Sequence, residues 1–504
     1  MIKLIYRIES DYMSKKRMLI VTSVTLSVVT ISLGIVKLYQ TYALSNYIGT
    51  VTDTGIDVYI NDDSYASIPA NGSSNVYYML TNTNPGTVKY GVAYQTTSGV
   101  TVKVYDTSED PATGTIEEND KKYIKLHLEN KNSTNKTIEL STVLGYENGG
   151  DLVVPSGVTL VTDTYTPPPT AAEYITKLYT TASKTTVTNN SITYNTAPSV
   201  SLMNDRLGGT TTDLDGGNIR YYGASPNNYI YFNCSDYSNQ TSSTCETWRI
   251  IGVFDGKLKL IRGSQIGTYS WDNKDTSTGA ESNFGKNDWT TARLMKLLNP
   301  SDYYTTDSND NNLGQGLYYN SASGKCYSGQ NNATVDCNFT STGIKNDETR
   351  NMIAETTYNL GGWNTFTVYP NEIYEYERGT TVYTGRLPTW TGKIALAYPS
   401  DYGYAADLNQ CKQTLYNYDN STCTSNNWMK AIITNNGSNY GWLLTPYSSD
   451  SYDVWHVHSS GFVNYHGNAY TAYGAVPVLS LSSELGIKSG LGDGSSSNPY
   501  KLSA

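Results

Sequence analysis

Charge is scarce in this chain. Only 16% of its 504 residues are Asp, Glu, Lys or Arg, and they balance to a net −10. No cluster of Lys and Arg follows the N-terminal basic run. Phosphate contacts need clustered cations, so the composition argues against a nucleic-acid partner. Phenylalanine is nearly missing, with 6 Phe against 46 Tyr. Asn, Ser and Thr fill most remaining polar positions and give a neutral, hydroxyl-rich and amide-rich surface unlike that of a usual cytosolic enzyme. No C-x-x-C occurs, which removes the common zinc and redox spacings. No G-x-S-x-G occurs either, and no Ser, His and Asp stand at an informative spacing. No catalytic residue, cofactor or metal ligand is assigned.

What the chain does contain begins at the N-terminus. Lys15, Lys16 and Arg17 precede an uncharged run from Met18 to Val36, and Lys37 follows it. As a helix that run rises about 28 Å, close to the thickness of a bilayer core. Its flanking cations favour an N-in, C-out orientation. The expectation is a cytoplasmic tail (1–17) and a transmembrane signal-anchor (18–37) in a single-pass cell-membrane protein whose later domains are extracellular. A cleaved signal peptide is the rival, with Thr41-Tyr42-Ala43 as its small-x-small site. The C-terminal NPYKLSA carries no LPxTG-type sorting signal, which leaves the N-terminal helix as the expected anchor.

Six cysteines agree with an oxidising compartment. They form local couples: Cys234 with Cys245, Cys326 with Cys337, and Cys411 with Cys423. Six cysteines allow fifteen connectivities. The local pairing is the expectation, each bond closing a small loop and contributing about 2–3 kcal/mol by chain entropy.

Residues 47–165 alternate apolar and polar side chains in IDVYI, VYYMLTN, TVKYGVAYQ, VTVKVYD, KYIKLHLEN and TIELSTVLGY. Turn signals separate these runs, and about seven short strands predict an immunoglobulin-like β-sandwich serving as a stalk. His127 reads as an ordinary strand residue. TYTPPPT breaks the chain, and residues 166–195 read as a Pro linker followed by a docking helix. There Thr170 and Glu173 have capping-box spacing, and Tyr174, Ile175, Leu178 and Tyr179 form one apolar stripe. Residues 196–504 read as an α+β head with long loops. A hairpin is predicted at Asp255-Gly256, one helix with Asp288 as its N-cap, and a second over KNDETRNMIAETTYNLGG, ending near Gly361.

The blocks TWRIIGV, W-x-x-A-x-L-x-x-x-LN, DETR-x-x-I, GWLLTP, VWHVHSSGFV and VPVLSL, spread over about residues 220–485, resemble a domain of Bacillota surface proteins. That family resembles the C-type-lectin-like fold in its formylglycine-generating-enzyme variant, which also carries the variable proteins of diversity-generating retroelements. The resemblance implies a surface adhesin or receptor of mostly β structure with an extracellular protein or glycan as partner. A surface hydrolase of glycosidase type and a structural envelope stalk are the alternatives. WLLTP at Trp442–Pro446 and Ala475-Val476-Pro477 lack the two arginines of the family pattern.

Three of the four histidines fall in one stretch, DVWHVHSSGFVNYHGNAYTAYGAVPVL. In a hairpin turning through Ser459-Ser460-Gly461, His458 faces Phe462, His456 faces Asn464, and Val454 faces His466. All three imidazoles would then share one face, with Trp455, Val457, Val463 and Tyr465 on the other. A one-residue slip would send His466 across. Three imidazoles could hold a metal, but no carboxylate has an obvious place beside them, and the metal assignment is left empty. A ligand-binding face uses more of the stretch: Tyr447, Ser449, Asp450, Tyr452, His456, His458, Asn464, His466, Asn468, Tyr470 and Tyr473. Tyr gives contact area at low entropy cost, and Ser and Asn give adaptable hydrogen bonds. The runs DSNDNN (307–312) and DLDGG (213–217) are candidate calcium ligands that ordinary acidic loops explain equally well.

Overall fold

A computed structural model of the chain describes residues 44–52, 55–57, 65–82, 86–145, 152, 154–274, 283–306, 313–488 and 490–503. The expected tail and membrane segment, and the run 307–312, lie outside the described residues. No helix among the described residues is long and apolar enough to cross a membrane. Strand makes up 36% and helix 14%, so the protein is mostly β, as expected. It divides into two compact units, Met1–Pro168 and Pro169–Ala504. The division falls inside the proline run, where missing N–H groups and a locked φ prevent any ladder from continuing.

The first unit contains two sheets. One runs in the order Thr164–Tyr165, Val100–Tyr105, Lys121–Asn130, Gly72–Asn82, Leu44–Thr52, Gly55–Asp57. The other runs Val158–Leu160, Val88–Gln95, Lys136–Gly145, Tyr65–Ile68, with Thr113–Ile116 paired on Val88–Gln95. Eleven strands are described where about seven were expected: five have only two to four residues, too short for alternation to register, and Leu44–Thr52 precedes the alternating runs. Inward residues from both sheets, among them Tyr78, Leu80, Tyr90, Val92, Leu126 and Ile138, build one core. His127 is a strand residue whose Nδ1 lies 2.8 Å from Asn75 Oδ1 and whose ring stacks 3.6 Å from Tyr165.

The second unit opens on the helix Ala171–Thr181, capped by Thr170 and Glu173 as the spacing predicts. Ile175 and Tyr179 are buried in the unit's core, with Tyr174 and Leu178 packed against it. A nine-stranded sheet follows: Thr185–Asn189, Ile192–Ala197, Leu202–Asn204, Ile219–Tyr221, Glu246–Phe254, Lys257–Arg262, Val478–Ser480 and Ile394–Ala395, plus Tyr229–Phe232 on Glu246–Phe254. Its first hairpin begins before residue 196, where the sequence pattern placed the head. Asp255 and Gly256 turn the central hairpin at φ 50° and 70°, both left-handed, as an Asp-Gly turn requires.

Two expected helices are shorter. The first spans Arg293–Leu298, since Asp288 closes a separate turn by accepting from Thr290 N and Oγ1. The second stops at Met352. Beyond it the β-branched Thr356 and Thr357 pair in Thr356–Asn359 with Thr389–Gly392. The blocks that carried the family resemblance converge: Trp248, Trp289, Leu298, Ile353, Trp442, Val454 and Leu479 all lie in one buried cluster. A charged network also sits inside this unit. Arg220 bridges Asp205 and Asp401, and Lys259 reaches Asp401 as well. Burial alone would raise Asp401, but Lys259 and Arg220 hold its carboxyl at about 2.

Candidate functional site

The histidine stretch forms a hairpin of Asp453–Val457 and Val463–Asn468 in a five-stranded sheet, ordered Thr268–Ser270, Ala472–Gly474, Gly441–Pro446, Asp453–Val457, Val463–Asn468. His458 N donates to Phe462 O at 2.8 Å, and Gly461 takes φ 116° at the turn. His456 pairs with Asn464 as expected. Val454 pairs with Gly467, not His466. The extra residue is a bulge, with Tyr465 and His466 together opposite Trp455. Trp455, Val457 and Val463 are fully buried, and Tyr465 nearly so.

The bulge separates the imidazoles. His456 is 3% exposed, under Gly467 and beside Tyr440, Trp442 and Tyr473. It is therefore part of the support and not of the contact face, contrary to the expectation. Burial drives its pKa down to about 3, so it is neutral at physiological pH. His458 Nδ1 accepts from Ser460 N at 3.2 Å, which leaves Nε2 to carry the proton and donate to Tyr440 Oη. Burial lowers its pKa, with Asp419 opposing. His466 is exposed, with Nδ1 3.2 Å from Asp453 Oδ2. Among the described residues no group of three His, Cys, Asp or Glu side chains is arranged to hold a metal ion. DLDGG is engaged internally: Asp215 takes Tyr179 Oη and Asn195 Nδ2, and Asp213 accepts from Asp215 N.

Rings, not cations, dominate the face. Tyr447 and Tyr465 stack at 4.1 Å, Phe366 lies 5.8 Å from Tyr465, and Tyr416 lies 4.3 Å from Phe366. From Tyr416 the contacts continue through Phe462, His458 and Tyr440 to Tyr473, no step exceeding 5.4 Å. A second group places Phe284 5.0 Å from Tyr452 and 6.0 Å from Tyr470. Tyr447, Tyr452, Tyr470 and Tyr473 are partly exposed, as are Asp450, Asn464 and Asn468, and Ser449 is fully so. Ten of the eleven expected contact residues thus reach the surface, His456 being the exception. Asn464 is already occupied, its Oδ1 accepting from Tyr465 N and His466 N.

Two clamps fix this face. Asn287 is fully buried, and its Nδ2 donates to the carbonyls of Tyr447, Asp450 and Asp453 at 2.9–3.0 Å. Asp450 Oδ1 turns the same loop by accepting from Tyr452 N and Asp453 N. Asp453 is pushed up to about 6 by burial, with Asp450 adding to the rise and His466 opposing it. At the other end, Tyr402 Oη donates to Gly461 O, and the Cys411–Cys423 bond closes the loop that carries Tyr416. The other disulfides also join the expected local couples, Cys234–Cys245 and Cys326–Cys337.

Asn287, Phe366, Tyr416 and Tyr440 were not legible as site residues, since they lie far from the hairpin in sequence or carry no motif. Concavities of about 510 and 470 Å³ in this unit are lined by residues outside the hairpin. The partly exposed, stacked rings suit the face to stacking and shallow hydrogen bonding. Compared with known families and with curated proteins, the chain matches no family model and no curated sequence.

Proposed function

We propose that this protein is a cell-surface adhesin or receptor that binds an extracellular protein or glycan through the aromatic face around Tyr447–Tyr473. In this reading residues 18–37 tether it to the membrane, the first unit is an immunoglobulin-like stalk, and the second is a C-type-lectin-like head. The observation that carries the reading is the chain of partly exposed rings mounted on a buried frame of Trp455, Val457 and Val463. Tyrosines with fixed surroundings give contact area at little entropic cost, the property on which antibody paratopes rely. The same pattern, polar or aromatic side chains outward over a buried apolar frame, also fits a face whose outward residues vary between copies of the gene.

The test is a binding screen with the full chain in detergent against a glycan array and a panel of extracellular matrix proteins. For any ligand found, Tyr447→Ala and Tyr452→Ala should each weaken binding at least tenfold, about 1.4 kcal/mol. A ligand whose affinity ignores both substitutions would move the binding face elsewhere. Turnover of a glycan on the array, abolished by Asp453→Asn, would favour the hydrolase alternative.

A further inference from the structure

The 510 Å³ concavity is lined by Tyr229, Glu246, Arg249, Arg262, Trp428 and Asn436, among others. Arg249 stands on the strand Glu246–Phe254 and is 6% exposed. Its guanidinium lies against two rings, 3.6 Å from the centroid of Tyr229 and 4.8 Å from that of Trp428. Its Nε donates to Asn228 Oδ1 at 2.5 Å and its Nη2 to Pro226 O at 3.3 Å. Both acceptors are neutral. The guanidinium also interacts with the Tyr229 hydroxyl, again a neutral group, so no carboxylate among the described residues meets this cation.

The one carboxylate in the wall does not neutralise it. Glu246 is engaged by Arg262 at 3.0 and 3.1 Å and by Trp248 Nε1. One positive charge is left over. Burial pulls the Arg249 pKa down to about 10, with Tyr229 opposing, so the group remains a cation at neutral pH. A buried cation normally meets a carboxylate, because desolvation is costly and a charge-assisted bond offsets it. Here two aromatic rings and neutral acceptors take the place of that carboxylate. At the rim, Asn435 and Asn436 adopt left-handed φ of 47° and 54°, and their exposed side chains make no hydrogen bond within the described residues.

We propose that this concavity binds a small polar molecule bearing a carboxylate, which meets the Arg249 guanidinium while the rest of the molecule lies against Trp428 and the amides of Asn435 and Asn436. Arg249 supplies charge and direction, and the rim amides supply hydroxyl contacts. The site is independent of the aromatic face, and its failure leaves that reading intact.

The experiment titrates the full chain with glucuronate, glucose and inorganic sulfate, followed by calorimetry and by tryptophan fluorescence. Glucuronate should bind at millimolar concentration or below, and glucose at least tenfold more weakly. Arg249→Gln should remove the difference between the two sugars. Because that variant alters a buried site, Asn436→Asp is the companion: it places a negative charge on an exposed rim and should weaken glucuronate severalfold while leaving the unfolding midpoint unchanged. Equal binding of glucuronate and glucose, no binding of glucuronate, or indifference to Asn436→Asp would overturn the proposal. Sulfate binding more tightly than glucuronate would also overturn it, by reassigning the site to a tetrahedral anion.

Discussion

The two units solve the same problem with different means. In the first, most of the described backbone is paired in ladders, and the core is almost entirely aliphatic and tyrosine side chains. Among its described residues the buried polar side chains are Asn82, His127 and Asn130, and there is no disulfide. In the second, long stretches have no strand partner, and three disulfides, buried asparagines and a buried ion network organise them. Asn299 alone donates to Met295 O and Ile394 O and accepts from Lys393 N and Ile394 N. Asn233 ties Gly343 and Lys345 in the same way. A side-chain amide supplies both a donor and an acceptor, so it can replace a missing ladder rung. The difference teaches that the amide-rich composition is structural as well as superficial. Ordered loops need an internal partner for each buried backbone group.

The sharpest way to break the comparison is Asn287→Ala. It leaves the carbonyls of Tyr447 and Asp450 without this donor, takes one of two donors from Asp453 O, which keeps Tyr447 N, and removes the Oδ1 that accepts from Arg386; at about 1 kcal/mol each the loss should reach roughly 3–4 kcal/mol. Urea unfolding followed in the second unit measures it, and the first unit's transition should not move. A loss under 1 kcal/mol would mean that water replaces the amide. Next is Cys411→Ala with Cys423→Ala, which reopens a loop of separation 12. The chain-entropy argument gives about 3 kcal/mol. Proteolysis should then cut first between 411 and 423, whereas retained protection there would show that packing around Tyr418 suffices.

The smallest effect is the pH dependence. His456 has a folded value of about 3 against the ordinary 6.5, so between these the unfolded chain takes up a proton that the folded chain excludes. Its contribution is full above about pH 6.5 and is lost as pH falls, by up to about 1.4 kcal/mol per unit. Asp453, raised to about 6, works in the opposite direction below that pH. His456→Gln should therefore flatten the decline of the urea midpoint between pH 7 and pH 5. An unchanged slope would place the titration elsewhere.

What the sequence revealed was what short-range chemistry decides. The Thr170–Glu173 cap, the Asp255-Gly256 turn, the cysteine couples and the inward Trp455, Val457 and Val463 are each set by neighbours within about a dozen positions. The bulge opposite Trp455 was not legible, since alternation alone cannot say where a ladder takes in one extra residue. Asn287 was invisible for a different reason. It acts on carbonyls 160 and more positions away, and an asparagine before a helix looks like any other. The early stop at Met352 follows from the bridge between Ile353 and Leu481, a contact no local pattern encodes.

The six cysteine sulfurs lie under cover, every one of these residues being less than 9% exposed. A reductant can reach them only while the surrounding loop has swung open. The time course of their reduction is therefore a clock for local breathing. Three staples in three places give three clocks, and the one at Cys411–Cys423 would run beside the aromatic face itself. Anything that settles on that face and holds Tyr416 in place should slow that clock and leave the other two running.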